Sequence, residues 1–218
     1  MALDEIRARI SAAETAAGRA PGSVTLIAVS KLQPEARVLA ALEAGQRIFG
    51  ENYVQEAQGK WPAWRGRFGG VGLHMIGPLQ SNKARAAVAL FDAIHTLDRM
   101  TLARKLAAAI EAEGRAPALF VQVNTGDEPQ KAGILPDELA GFMVQLRDMG
   151  LAPQGLMCIP PEAEPARPHF RLLRDLAQAE GLSQLSMGMS DDFEEAIAEG
   201  ATHIRVGSAI FGARQAAR

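Results

Sequence analysis

A lysine that directly follows a short apolar run is the sharpest candidate for chemistry in this sequence. Lys31 closes the segment LIAVSK, and the chain has only four other lysines: Lys60, Lys83, Lys105 and Lys131. If the run is a buried strand, the amine projects beside apolar walls. Partial desolvation there makes an amine a nucleophile that forms Schiff bases with carbonyl compounds. The alternative is a solvated lysine at a strand end.

Two segments that contain glycine and serine are candidates for binding phosphate. The first, at 186–190, reads Ser-Met-Gly-Met-Ser, and the second is Gly207-Ser208. Glycine lets backbone N–H groups approach an anion, and serine hydroxyls add donors. Either segment alone is as well explained by an ordinary tight turn. Together, after the last two predicted strands, they favour a phosphate site, because α/β barrels often bind phosphate there.

Arg205 has apolar neighbours in the run HIRVG at 203–207. A buried arginine must find polar partners, since an unpaired buried charge is costly. One interpretation is a salt bridge to an acidic residue of the sheet such as Glu51. The other is a hydrogen bond to an acceptor on a ligand, and the sequence leaves both open.

Other motifs give little support to alternative sites. The segment GPLQSNK at 77–83 lacks the GK[ST] ending of a nucleotide-binding loop, and no GxSxG motif is present. One cysteine and histidines without metal-ligand spacing argue against zinc; the histidines are His74, His95, His169 and His203. Trp61 and Trp64, with Arg65 and Arg67 beside them, are interpreted as packed aromatics in a solvated loop rather than a nucleic-acid surface.

The elements that must position these residues alternate regularly along the chain. Between short apolar runs lie longer segments with helical spacing, as in Leu102, Leu106 and Ile110. Because no two runs have hairpin spacing, the sheet is predicted to be parallel. Eight such units favour a closed (β/α)8 barrel, with an open doubly wound sheet as the alternative. The runs lie at 24–30, 47–50, 73–77, 93–97, 119–124, 154–160, 184–188 and 203–207.

The chain is expected to be a single TIM-barrel domain over residues 1–218, which is a usual length for this fold. Leu3, Ile6 and Ile10 recur at helical spacing and predict an N-terminal helix over about residues 2–18, packed outside the barrel. Gly18 ends that helix.

The composition of the chain predicts its cellular compartment and excludes some classes of partner. The 23 basic and 25 acidic residues give a net charge of −2, without general attraction to nucleic acid or anionic membranes. The N-terminus has no apolar signal region, and no apolar run approaches the roughly 20 residues of a membrane helix. The single cysteine, Cys158, excludes an intramolecular disulfide and suits a reducing compartment. We therefore expect a cytoplasmic protein with neither nucleic-acid nor membrane partners.

Five motifs in order make a resemblance clear: AVSK, FGENYVQE, HMIGPLQSNK, LSMGMSDDFEEAI and IRVGSAIFGAR. From Val24 to Arg214 the chain resembles the pyridoxal phosphate homeostasis proteins, small relatives of the alanine racemase N-terminal barrel domain. The resemblance implies a single modified TIM barrel that binds pyridoxal 5′-phosphate (PLP). It also implies that Lys31 holds PLP as an internal aldimine.

The resemblance assigns the remaining contacts residue by residue. The phosphate would be held by the 186–190 segment and Gly207-Ser208, and the pyridine nitrogen would face Arg205. Lys131 corresponds to a recurring secondary lysine; Gln130 before it is a departure, since Ser or Thr is more usual, and some members have threonine in the VGS turn. The implied cofactor-binding set is Lys31, Asn52, His74, Met75, Ser186, Met187, Gly188, Ser190, Arg205, Gly207 and Ser208.

The resemblance implies cofactor carriage or buffering in vitamin B6 homeostasis, with no established catalytic reaction and no catalytic residues. Racemisation needs an acid or base on each face of the ligand, and in alanine racemase a second domain supplies a tyrosine. Here Tyr53 is the only tyrosine, and an arginine at the ring nitrogen makes PLP a weaker electron sink. The alternative is a PLP-dependent amino-acid racemase of weak activity; AVSK and SMGMSDD argue against a Schiff-base aldolase. Expected partners are PLP and apo PLP-dependent enzymes, with the protein itself a monomer.

Overall fold

Eight parallel strands follow one another in chain order around a closed barrel, and β1 pairs with β8 to close it. The computed structural model describes residues 2–212. Met1 and residues 213–218, which include the end of the last family motif, lie outside that range. The predicted parallel barrel is confirmed, and closure removes the open doubly wound alternative. The strands are β1 Thr25–Val29, β2 Ile48–Glu51, β3 Gly72–Met75, β4 Ala93–Leu97, β5 Ala118–Gln122, β6 Gly155–Met157, β7 Gln184–Ser186 and β8 His203–Val206.

Helices alternate with the strands, and a 3-10 turn at Ser81–Lys83 precedes the fourth of them. Their apolar faces cover the outside of the barrel, since residues at three- and four-residue spacing share one helix face. The described helices are α1 Ala2–Ala16, α2 Glu35–Glu43, α3 Val54–Arg67, α4 Ala84–Leu90, α5 Met100–Glu113, α6 Leu139–Asp148, α7 Ala166–Ala179, α8 Phe193–Ala198 and α9 Ser208–Phe211.

Two helices differ from the sequence-based expectation. The first, α1, packs against α8 and α9 and ends at Ala16, two residues earlier than predicted, because Gly18 adopts a left-handed conformation at φ 66° that terminates it. The loop predicted around Trp61 and Trp64 is wrong. Both residues lie in α3 with buried side chains, and their rings meet edge to face at 5.0 Å.

The core has two layers, one between strands and helices and a smaller one inside the barrel. Ala93, Phe120 and Met157 form an apolar cluster in the interior layer, and the imidazole of His95 stacks on Phe120 at 4.2 Å. Because all eight strands run in the same direction, their carboxyl ends and the loops that follow share one end of the barrel. Side chains far apart in sequence therefore meet at that mouth. None of the described helices is both long enough and apolar enough to span a membrane.

Candidate functional site

A cavity of about 300 Å³ opens at the mouth of the barrel, between the loops that follow β1, β2, β3, β6, β7 and β8. Six of the predicted residues lie on its wall. The apolar part of the wall is supplied by side chains that include Ile76, Ile159 and Met189. The six predicted residues on the wall are Lys31, Asn52, Ser190, Arg205, Gly207 and Ser208.

Lys31 lies two residues beyond the end of β1, in a turn that is held on both sides. Ser30 is fully buried and continues the strand pairing through its amide, which donates to the Gly50 carbonyl at 3.0 Å. Leu32 follows with a left-handed φ of 54°, a conformation that costs a non-glycine residue about 1–2 kcal/mol. Its amide donates to Glu56 Oε1 at 2.8 Å, which stabilises the turn. The strained turn thus fixes where the half-buried Lys31 leaves the backbone.

A second lysine lies close by, yet its surroundings are different. Lys60 Nζ is 2.8 Å from Glu51 Oε1 and 2.8 Å from Glu56 Oε1. Glu51 also accepts hydrogen bonds from Ser30 Oγ at 2.7 Å and Trp61 Nε1 at 3.0 Å. Burial raises the pKa of the Glu51 carboxyl, and the Lys60 charge opposes that rise. Lys60 is thus paired with two carboxylates, whereas Lys31 lines the cavity.

Arg205 is buried on β8, and its guanidinium is held by neutral acceptors. Nη1 donates to Ser186 Oγ at 2.7 Å and Nη2 donates to the Cys158 carbonyl at 2.8 Å. Burial lowers the pKa of the guanidinium, but arginine stays charged in proteins. The alternative of a salt bridge to Glu51 is wrong, because that carboxylate is bonded to Lys60, Ser30 and Trp61 instead.

Two serine hydroxyls meet on the cavity wall. Ser208 Oγ donates to Ser190 Oγ at 3.2 Å, although the residues are 18 positions apart. Gly188 makes this approach possible: it has φ 93°, and a Cβ there would lie 2.6 Å from Ala196 Cβ. Asp191 also lines the cavity beside Ser190, and among residues 2–212 it is the one acidic residue on the wall.

Asn52 and Gln33 bring amide groups to the cavity, and Gln33 was not anticipated from the sequence. Both side chains line the wall, and both amide oxygens are buried without a hydrogen-bond partner among the described residues. Gly77 lets Asn52 take this place, because a Cβ on it would lie 2.6 Å from the Asn52 Cα. Unpaired buried acceptors cost free energy, so a ligand that donates to them is favoured.

Five residues of the implied set are not on the cavity wall. Ser186 and Met187 are completely buried and His74 and Met75 nearly so, while Gly188 forms the turn behind Ser190. The reason is the alternation of side chains along a strand, which sends the Ser186 hydroxyl into the barrel interior rather than towards the mouth. Lys131 also lies off the wall; its Nζ is 2.6 Å from Glu128 Oε2 and 3.2 Å from the Pro160 carbonyl.

Three histidines converge inside the barrel, which their spacing in the sequence did not indicate. The ring of His74 lies 5.0 Å from that of His95 and 6.0 Å from that of His203. Burial is the main cause that lowers the pKa of His74 and His203 to about 4, and it lowers the pKa of His95 well below its ordinary value. Within residues 2–212 no group of histidine, cysteine or acidic side chains is arranged to hold a metal ion. Alternate positions on neighbouring strands could have revealed this cluster.

Comparisons with known proteins match this architecture. The family model described as alanine racemase, N-terminal domain, matches residues 1–215. A pyridoxal phosphate homeostasis protein from Escherichia coli is 45% identical over 97% of this chain and 95% of its own length. The chain belongs to the pyridoxal phosphate homeostasis protein family. A second member, from Pseudomonas aeruginosa, is 44% identical over 97% of this chain and 94% of its own.

Solved structures of the same shape include a member of this family with a bound cofactor. PipY of Synechococcus elongatus, solved with PLP bound, has a TM-score of 0.80 and 41% identity, covering 93% of this chain and 100% of PipY. An alanine racemase from Clostridium difficile has a TM-score of 0.69 at 12% identity, covering 89% of this chain and 53% of the racemase. The racemase shares the barrel fold alone.

Proposed function

We propose that this protein binds PLP at the barrel mouth and serves in intracellular PLP homeostasis, carrying or buffering the cofactor through Lys31. One observation carries the proposal: a single cavity gathers an amine, a guanidinium and two hydroxyls from the ends of three strands, β1, β7 and β8. The PLP-bound PipY and the relatives named for PLP homeostasis support it. The single cysteine and the balanced charge agree with a cytoplasmic location.

The donor set fits the cofactor's three functional groups. PLP supplies a reactive aldehyde, which a lysine amine captures reversibly as a Schiff base. Lys31 would provide that amine, and Ser190, Ser208 and Gly207 would meet the phosphate. Arg205 would face the pyridine nitrogen, and the orphaned amide oxygen of Asn52 would meet the ring edge.

Lys31 is favoured over Lys60 as the attachment point because of position, since Lys31 lines the cavity. Lys60 has carboxylate oxygens of Glu51 and Glu56 at 2.8 Å, and both ion pairs would have to break before its amine could attack an aldehyde. Lys60 therefore makes a matched control: a second lysine near the same strand end whose amine is held in two ion pairs.

Two features favour carriage over catalysis. The cavity, at about 300 Å³, is at the lower end of small-ligand sites, so the cofactor leaves little room for a substrate. Tyr53, the residue that could supply a second acid or base, precedes α3, is 53% exposed and does not line the cavity. The racemase alternative needs that residue. Carriage instead needs apo PLP-dependent enzymes as partners.

We further propose that residues 1–218 act as one domain and as a monomer.

A transfer experiment tests the proposal. PLP-loaded protein is mixed with an apo PLP-dependent enzyme whose activity is followed, and in parallel it is incubated with L-alanine in deuterium oxide. We expect enzyme activation and no deuterium at Cα. Exchange at ordinary turnover rates of about 1–10³ per second, lost in Tyr53→Phe, would instead establish a racemase. The Lys31→Ala variant, which offers no attachment amine in the cavity, is the control for loading.

A further inference from the structure

Four polar side chains form a continuous chain of hydrogen bonds inside the barrel, and the proposed function gives a role to only the first. Arg205 Nη1 lies 2.7 Å from Ser186 Oγ. Ser186 Oγ lies 2.8 Å from His95 Nδ1, and His95 Nε2 lies 3.0 Å from His74 Nδ1. Ser186 and His95 are completely buried, and His74 is 8% exposed.

Donor and acceptor rules fix the direction of the first bond, and the other directions follow when the Ser186 hydroxyl donates within this hydrogen-bond chain. Arginine can only donate, so Ser186 Oγ accepts, and its own hydrogen needs another acceptor. His95 Nδ1, at 2.8 Å, can accept that hydrogen, in which case the ring proton of His95 is on Nε2. That proton is in turn donated to His74 Nδ1. In this arrangement all the bonds point away from Arg205.

This arrangement of hydrogen bonds requires the imidazoles of His95 and His74 to be neutral. A proton on His95 Nδ1 would displace the Ser186 hydrogen, and a proton on His74 Nδ1 would face the His95 N–H. Burial lowers the pKa of both rings, and interactions with His74, His203 and Arg205 lower that of His95 further. Asp92, which acts in the opposite direction on His74, is opposed by Arg65. The neutral state follows from the barrel interior itself.

We propose that Ser186, His95 and His74 are positioning residues that fix the orientation of the Arg205 guanidinium at the cavity. This inference rests on the proposed function, in which Arg205 faces the pyridine nitrogen. Ser186 Oγ and the Cys158 carbonyl hold the two ends of a planar fork, so the N–H groups that remain have a fixed direction. Both anchors are uncharged, and among residues 2–212 no carboxylate lies within ion-pair distance of Arg205. The hydrogen-bond chain thus orients the Arg205 guanidinium without cancelling its charge.

The first test measures the tautomers directly, without cofactor. Long-range ¹H–¹⁵N spectra of the histidine rings at pH 7 should show His95 and His74 neutral, with the proton on Nε2 and an unprotonated Nδ1. An Nδ1–H tautomer of His95, or an imidazolium at either residue, would overturn the chain. The Arg205 guanidinium N–H resonances should be sharp in the wild-type protein and broadened in Ser186→Ala.

The second test compares variants inside and outside the chain. We expect Ser186→Ala and His95→Phe each to weaken PLP binding by about 10-fold, the usual effect of losing one good hydrogen bond, and to shift the visible band of the bound cofactor. His95→Asn, which keeps an acceptor for Ser186, should restore part of the affinity. The matched control is His203→Phe: this ring belongs to the same cluster, but its Nδ1 is bonded to Thr202 at 2.9 Å.

The outcomes separate this inference from the proposed function. Equal effects in His203→Phe and His95→Phe, or an unchanged band and affinity in Ser186→Ala, would overturn the positioning role. A wild-type protein with the expected tautomers and sharp Arg205 resonances that fails to bind PLP would refute the proposed function and leave the chain intact. Thermal unfolding of each variant identifies any loss of binding that is caused by misfolding.

Discussion

The Ser190 and Ser208 hydroxyls offer the sharpest prediction, because binding and stability separate cleanly there. In the proposed complex each hydroxyl donates to a charged phosphate. Such a hydrogen bond contributes about 1.5–3 kcal/mol, so removing one weakens PLP binding roughly 10- to 150-fold. Ser208 is exposed and Ser190 half-buried, and their mutual bond is 3.2 Å. Losing either side chain should therefore change the free energy of unfolding by less than about 0.5 kcal/mol.

Equilibrium dialysis with PLP, and with pyridoxal, measures the effect on Ser190→Ala, Ser208→Ala and the double variant. Pyridoxal lacks the phosphate, so its affinity should not change in any of them. Because the two hydroxyls are in contact, the double variant should lose less affinity than the sum of the single losses in free energy. Ser183→Ala is the matched control: Ser183 is an exposed serine just before β7, at the opposite end of the barrel. Equal losses for pyridoxal and PLP, or unchanged PLP affinity in the double variant, would refute the phosphate assignment.

Two further predictions concern the scaffold. Lys60→Met should destabilise the fold by about 3–5 kcal/mol, since it leaves the buried Glu51 carboxylate unpaired. Burial raises the pKa of Glu51 above its unfolded value, and removal of Lys60 raises it further, so the loss of stability should be small at low pH and grow as pH rises through the folded-state pKa. Urea unfolding from pH 4 to 8 measures this loss. A loss that is independent of pH, or equal in the exposed Lys105→Met variant, would contradict the prediction. Gly188→Ala should lower the free energy of unfolding by about 1–3 kcal/mol, because φ is 93° and the new Cβ would lie 2.6 Å from that of Ala196; an unchanged urea midpoint would count against this turn geometry.

The barrel was predictable because apolar runs and helical segments alternate regularly along the sequence. Eight apolar runs separated by helical segments require a parallel sheet, and the last run, HIRVG, becomes the strand that closes the barrel on β1. The helix α3 was harder to predict, because glycine and proline inside it suggest a loop. Pro62 is nevertheless accommodated in the helix, where Trp61 and Trp64 supply the buried face.

The cavity wall was only partly predictable, because strand ends can be read from the sequence and side-chain directions cannot. Lys31, Arg205 and Ser208 follow or end strands, and they do line the mouth. Ser186 was assigned to the phosphate by its motif, yet its strand turns the hydroxyl inward to meet His95. Contacts within the barrel depend on which strand faces which, and that information exists only in the closed fold.

Reduction of the loaded protein with borohydride, followed by peptide mapping, tests the central claim most directly. We expect the phosphopyridoxyl mass on the peptide that contains Lys31. We also expect little on Lys60, whose amine is held by two carboxylates at 2.8 Å, and no trapping at the cavity in Lys31→Ala. A mass found mainly on Lys60 or on the exposed Lys105, or equal trapping in Lys31→Ala, would contradict it.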